Sequence, residues 1–137
     1  LGLPALESAQ GRSLAAHLLL DPEWNSTTHL FAEMERHSGE PKPARSVRTD
    51  RYKYIRNLND TPWGSGGGNG DWRDLLAEEP DQFFDDPRPP EELFDLQDDP
   101  TEKVNLAGDP ALADVLAELG AALDAHMLAT DDFRVED

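Results

Sequence analysis

The run from Glu91 to Pro110, EELFDLQDDPTEKVNLAGDP, constrains the fold most, because it writes a strand, a capped turn and a helix start without a break. Leu93, Phe94 and Leu96 form a short apolar run of strand length, and Asp98, Asp99 and Pro100 end it. Asp99 then reads as an N-cap, with Pro100 at the first helical position and Glu102 three residues past the cap. That spacing predicts a single helical turn closed by a capping box. Gly108 reads as a left-handed exit, and Asp109 with Pro110 repeats the cap-and-proline device at the start of a longer helix.

From Pro110 to about Leu128, one stripe carries Leu112, Val115, Leu116, Leu119, Leu123 and Met127, while Asp114, Glu118 and Asp124 lie mainly off it. Such a helix is stable only when that stripe is packed, since ordering the backbone costs roughly 1–2 kcal/mol per residue. The partner surface lies upstream. THLFAEME alternates Leu30, Ala32 and Met34 with Phe31, Glu33 and Glu35, which predicts a strand, and HSGEPKPA reads as a loop. ARSVRT and YKYIRNL, separated by Asp50 and Arg51, predict a tight antiparallel hairpin that lacks the usual turn glycine. Val47, Ile55 and Leu58 are assigned to its core face; Tyr52 and Tyr54 fall on the other face, which calls for a second, large apolar cover. The expected fold class is α+β, a small antiparallel sheet of about four strands packed against one long C-terminal helix.

Three further segments are read locally. RSLAAHLLLD suggests a short helix ended by Asp21 and Pro22, and positions 59–90 form a Gly/Pro-rich excursion interrupted by a short helix at DWRDLLAEE. WGSGGGNGD has no Gly-Lys-Ser/Thr after it and no strand feeding it, so a flexible surface loop is the simpler reading. Asn25, Ser26 and Thr27 make a sequon that matters only in a secreted chain.

The 137 residues suffice for one domain, with an apolar fraction of 37% and a formal charge of −17. This charge argues against nucleic acid and anionic membranes as partners. Its carboxylates are dispersed from end to end and its only lysines are Lys42, Lys53 and Lys103. We read that surface as salt-adapted, a hypothesis that favours the cytoplasm of a halophilic prokaryote over secretion. No cysteine is present, which excludes disulfides and thiolate sites in this chain. The start, with no initiator methionine, looks like the middle of a longer protein.

Glu33, Glu35, Arg36, His37, Arg45 and Arg48 bring both charge signs to a strand end and its loop, where an arginine fork could take an anion. The competing reading is a solvated sheet edge with ordinary ion pairs. The DDP pairs are explained by capping without invoking a metal.

Taken in order, GRSL, HLFAEMERH, ARSVRTDRYKYIRNL, EELFDLQDDPTEKVNLAGDP and a helix ending in LATDD resemble the C-terminal subdomain of the sulfatase family. The likeness is greatest to the heparan N-sulfatase, or sulfamidase, branch. It implies a connecting segment at 1–24, the subdomain at 25–137, and a preceding alkaline phosphatase-like catalytic domain as partner. That domain would hold the calcium ion and the formylglycine made from a C/S-x-P-x-R motif, which this sequence lacks. No catalytic residue and no metal ligand is therefore carried over to this chain. The resemblance aligns His37 with a histidine near the active-site mouth, with Glu33 and Arg36 as its charged companions, and makes a sulfated carbohydrate the implied substrate. The alternative is a stand-alone, non-catalytic binding or interaction module derived from a sulfatase.

Overall fold

The computed structural model describes residues 28–37, 39–62 and 86–132. The expectations for RSLAAHLLLD, the sequon, the glycine run and DWRDLLAEE lie outside the described residues. Four strands, β1 (Leu30–His37), β2 (Glu40–Arg48), β3 (Tyr52–Asn57) and β4 (Glu91–Asp95), form an antiparallel sheet in the order β1-β2-β3-β4. A 3-10 turn, Pro110–Leu112, leads into the helix α1 (Ala113–Ala129).

One face of the sheet meets the helix. Val47, Tyr54 and Leu93, adjacent across β2, β3 and β4, form a buried cluster with Leu119, Leu123 and Met127. Phe31, Leu112, Val115 and Leu116 pack around that cluster, so the helical stripe is used as its periodicity predicts. The strands differ from expectation. Tyr54 has no exposed surface and belongs to the helix face, whereas Ile55 is half-buried on the reverse face and Leu58 lies beyond β3. A phenol enters the core because its hydroxyl finds partners there: it donates to Glu91 Oε1 at 2.5 Å and accepts from Arg56 Nε at 3.2 Å. Likewise Phe31, and not Leu30, faces the helix; Leu30 is 62% exposed.

HSGEPKPA is less loop than expected, because β1 runs to His37 and β2 begins at Glu40. The register shifts between Met34↔Ala44 and Arg36↔Pro41, which leaves one extra residue on β2. A bulge is where proline fits a strand, and Pro43 sits in it. The β2–β3 turn dispenses with glycine because Thr49 closes it: its Oγ1 accepts from the amides of Arg51 (3.3 Å) and Tyr52 (2.9 Å).

The Glu91–Pro110 run keeps its strand and second cap but not its helical turn. Asp99 Oδ2 accepts from the amides of Lys103 (2.6 Å) and Val104 (2.8 Å), and Oδ1 from Thr101 Oγ1 (3.1 Å), so the carboxylate organises an open loop. These bonds, that from Val104 foremost, hold its pKa below the usual carboxylate value. Glu102 adopts φ +56° and pairs with Lys53, so the reciprocal capping box is not formed. Gly108 lies in a turn that Asp109 N closes onto Leu106 O at 3.0 Å, but without a positive φ, and Asn105 anchors the segment before it. Asn105 Oδ1 accepts from Leu93 N (3.0 Å), its Nδ2 donates to Glu91 O (3.1 Å), and Leu106 N donates to Leu93 O (2.8 Å). Asn-Leu-Ala thus covers the outer edge of β4. Asp109 caps as predicted, accepting from Ala111 N at 2.9 Å.

Candidate functional site

Between β1 and the C-terminal end of α1 lies a cleft of about 700 Å³, bordered by Phe31, Glu33, Glu35, His126, Thr130 and Asp131, with Arg45 and Asp132 at its base. Its geometry follows from how the helix ends. Asp132 N donates to Met127 O (2.9 Å) and Asp131 N to Leu128 O (3.4 Å), with Asp131 at φ +53°. This is a Schellman stop in which aspartate takes the left-handed position usual for glycine. Thr130 Oγ1 donates to His126 O at 2.9 Å and tightens the last turn. The imidazole of His126 stacks on Phe31, centroids 3.9 Å apart and planes 3° from parallel, and His29 lies 6.2 Å away on Phe31.

The stop delivers Asp132 to Arg45. Arg45 Nη2 donates to Asp132 Oδ1 at 2.9 Å and to Glu35 Oε1 at 2.7 Å, Nε pairs with Asp132 Oδ2, and Nη1 reaches Ala44 O at 3.0 Å. Its side chain is only 5% exposed. The bond to Asp132, against the opposing effect of burial, holds the guanidinium firmly protonated. Arg45 therefore ties the end of α1 to β1 and β2, and its fork is occupied by carboxylates of the chain itself.

The three residues singled out for substrate contact are not brought to one point. Glu33 lies opposite Arg45 and lines the cleft. Arg36, on the alternate face, donates Nη1 to Gly39 O at 2.9 Å, while His37 pairs with Glu40 at the exposed hairpin end. Glu33 and His37 are four residues apart along β1, about 13 Å at strand rise. Arg48 lies at the other end of β2, opposite Leu30. Of the mixed-charge set, Glu35 and Arg45 form the ion pair of the simpler reading. The Arg45–Asp132 clamp was not anticipated; its signal was the arginine two positions before Val47 on a core-facing register, together with the Thr-Asp-Asp that follows the last apolar helix residue.

Among the described residues, no group of three or more His, Asp or Glu side chains is placed to hold a metal ion. The sequence has neither a cysteine nor a C/S-x-P-x-R motif. No helix among the described residues is long and apolar enough to cross a membrane.

No family model and no curated protein matches the sequence. Solved structures do. A crystal structure of a protein assigned to the sulfatases, from Bacteroides thetaiotaomicron VPI-5482, superposes with a TM-score of 0.67 and 28% identity over 99% of this chain and 24% of that one. A second, of a 2-O GAG sulfatase, gives the same values. The chain thus spans about a quarter of the length of these proteins. Its sheet order and closing helix, with this likeness over nearly its whole length, give it the fold of a sulfatase C-terminal subdomain.

Proposed function

We propose that this chain is the C-terminal portion of a sulfatase that hydrolyses a sulfate ester or N-sulfate of a sugar, and that it closes one side of the substrate pocket without catalysing the reaction itself. The observation that carries this reading is 28% identity over 99% of the chain to two proteins of the sulfatase class, one of them a 2-O GAG sulfatase. On this reading the nucleophile and calcium belong to a preceding catalytic domain, and the end of β1, with Glu33, Arg36 and His37, faces the substrate. The N-sulfatase branch is supported by the His37-bearing strand end, the Arg45-Ser46-Val47 hairpin and Thr130-Asp131 after the helix; the neighbour's 2-O activity supports an ester. The dispersed acidity supports a salt-adapted, cytoplasmic protein.

The test begins with the coding frame upstream. A C/S-x-P-x-R motif there, and sulfate release from a 2-O-sulfated glycosaminoglycan disaccharide or from N-sulfoglucosamine by the protein encoded by the whole frame but not by this chain, is the expected result. The two substrates separate the two bonds. In that protein His37→Ala raises KM several-fold at unchanged melting temperature. A frame without the motif over several hundred preceding codons supports the stand-alone module and ends the proposal.

A further inference from the structure

Beyond the register shift between Met34 and Arg36, β1 and β2 meet in two pairs, Arg36↔Pro41 and His37↔Glu40. Proline has no N–H, so Pro41 offers the ladder no donor opposite Arg36. The turn that joins the strands holds Gly39 at φ +86°. Nothing lies within 4 Å of the place its Cβ would take, so glycine is needed there for its conformation and not for room. Glycine adopts negative φ about as readily as positive, and this backbone therefore does not hold the turn by itself. Two side chains supply what the ladder lacks. Arg36 Nη1 donates to Gly39 O at 2.9 Å, folding back over the turn, and Asn59 Nδ2 donates to Pro41 O at 3.1 Å from just past β3. Among the described residues Arg36 forms no ion pair, so the tie to Gly39 is what its guanidinium does in the fold.

We infer that Arg36 is a positioning residue: its bond to Gly39 closes the turn and fixes the direction in which His37 meets the substrate. The inference rests on the proposed function, in which the end of β1 faces the substrate, and deepens it by giving Arg36 and His37 different tasks. Successive strand residues point to opposite faces, so these two side chains leave the backbone in opposite directions. A guanidinium folded over the turn does not meet one small anion together with that imidazole. Its contribution to recognition passes through the backbone of the turn: without the bond, Gly39 is free to leave its left-handed conformation, and the adjoining strand end, which carries His37, samples other directions.

A double-mutant cycle separates this role from direct contact. In the protein encoded by the whole reading frame, KM for the sulfated sugar that it hydrolyses is measured for Arg36→Ala, His37→Ala and the double variant. Both positions are exposed in this chain, so the variants keep the fold and the melting temperature. Arg36→Ala should raise KM about threefold or more, and the double variant should match His37→Ala, because with the imidazole gone the turn has nothing to present. Effects that multiply, the signature of Arg36 touching the sugar itself, overturn the inference, as does an unchanged KM in either single variant. Hydrogen exchange gives a readout that needs no activity: the amides of Gly39 and Glu40 should exchange several-fold faster in Arg36→Ala, with those of Leu119 and Leu123 in α1 unchanged. Equal exchange at Gly39 and Glu40 in the two proteins overturns the inference and leaves the proposed function standing. Absence of sulfate release ends the proposed function instead, and the exchange rates still decide whether Arg36 holds the turn.

Discussion

Removing the Arg45 guanidinium tests whether one buried cation holds the end of α1 on the sheet. In Arg45→Met the alkyl stem is retained and three charge-assisted bonds to Asp132 and Glu35 are lost. Glu35 is 43% exposed and its loss of the guanidinium costs little, but Asp132 is 14% exposed and loses the guanidinium that its two oxygens share. Breaking a buried pair from one side costs about 3–5 kcal/mol, and the residual exposure of Asp132 points to the lower end, about 3 kcal/mol. For a chain of this size that is a fall of about 12 °C in Tm. Asp132→Asn keeps an acceptor and leaves Arg45 with Glu35 and the Ala44 carbonyl, so about 1.5 kcal/mol is expected. In the Arg45→Met background, neutralising Asp132 removes a largely buried carboxylate that has lost the guanidinium, and the double variant should be no less stable than Arg45→Met alone. The coupling is then about 1.5 kcal/mol or more, against near zero for independent sites. Urea unfolding followed by far-ultraviolet circular dichroism measures all four corners, with equal m-values as the check on two-state behaviour. Additive losses, or a cost below about 1 kcal/mol for Arg45→Met, would refute the clamp.

Three other expectations are simpler. Burial, then the bond to Glu91, raises Tyr54 from 10.0 to about 12; because the folded value lies above the unfolded one, stability is complete below pH 10, declines above it and is lost through pH 12, and Tyr54→Phe abolishes that slope in pH-dependent urea melts and the tyrosinate absorbance that develops there. Gly120 is buried in α1, yet a Cβ there would sit 3.7 Å from Arg56 Nη2 and 3.9 Å from the Tyr54 hydroxyl, ordinary contacts, so Gly120→Ala should stabilise by up to about 1 kcal/mol in the same melts. With a formal charge of −17, Tm should rise between low salt and molar potassium chloride, and a flat profile would sink the salt-adapted hypothesis.

The architecture was legible because it rests on periodicity and caps, which are local. The stripe from Leu112 to Met127 announces a helix with one packed face, and Asp109 with Pro110 announces where it begins. What was not legible depended on partners distant in sequence. Tyr54 and Ile55 are adjacent and both apolar enough for a core; Glu91, meeting the phenol from the neighbouring strand beside Arg56 of the same strand, gives the inward tyrosine its acceptor. Asp99 caps a helix or ties a loop with the same carboxylate, and Lys53, 46 positions before it, captures Glu102 and selects the loop. The Arg45–Asp132 pair spans 87 positions, and the marks at its two ends, an arginine on a core-facing register and a Thr-Asp-Asp after the helix, do not say that they meet.

This clamp also bears on what the cleft can bind. A sulfate needs donors, yet the one guanidinium at the base of the cleft already points its fork at Asp132 and Glu35, and Glu33 and Asp131 add two more carboxylates at the margin. An anion approaching within about 4 Å of one such carboxylate meets a repulsion of about 4 kcal/mol at an effective dielectric of 20, or about 1 kcal/mol in open water. Displacing Asp132 from Arg45 to make room would release the end of α1, at the cost worked out above for losing that pair. Under the proposed function, sulfate recognition would then come from groups outside the cleft, such as Arg36 and His37 at the hairpin end, or from the proposed catalytic domain. A substrate that reached the cleft itself would have to present hydroxyl or amino groups to these carboxylates, which is how the unsulfated part of a sugar could be held while the sulfate is directed elsewhere.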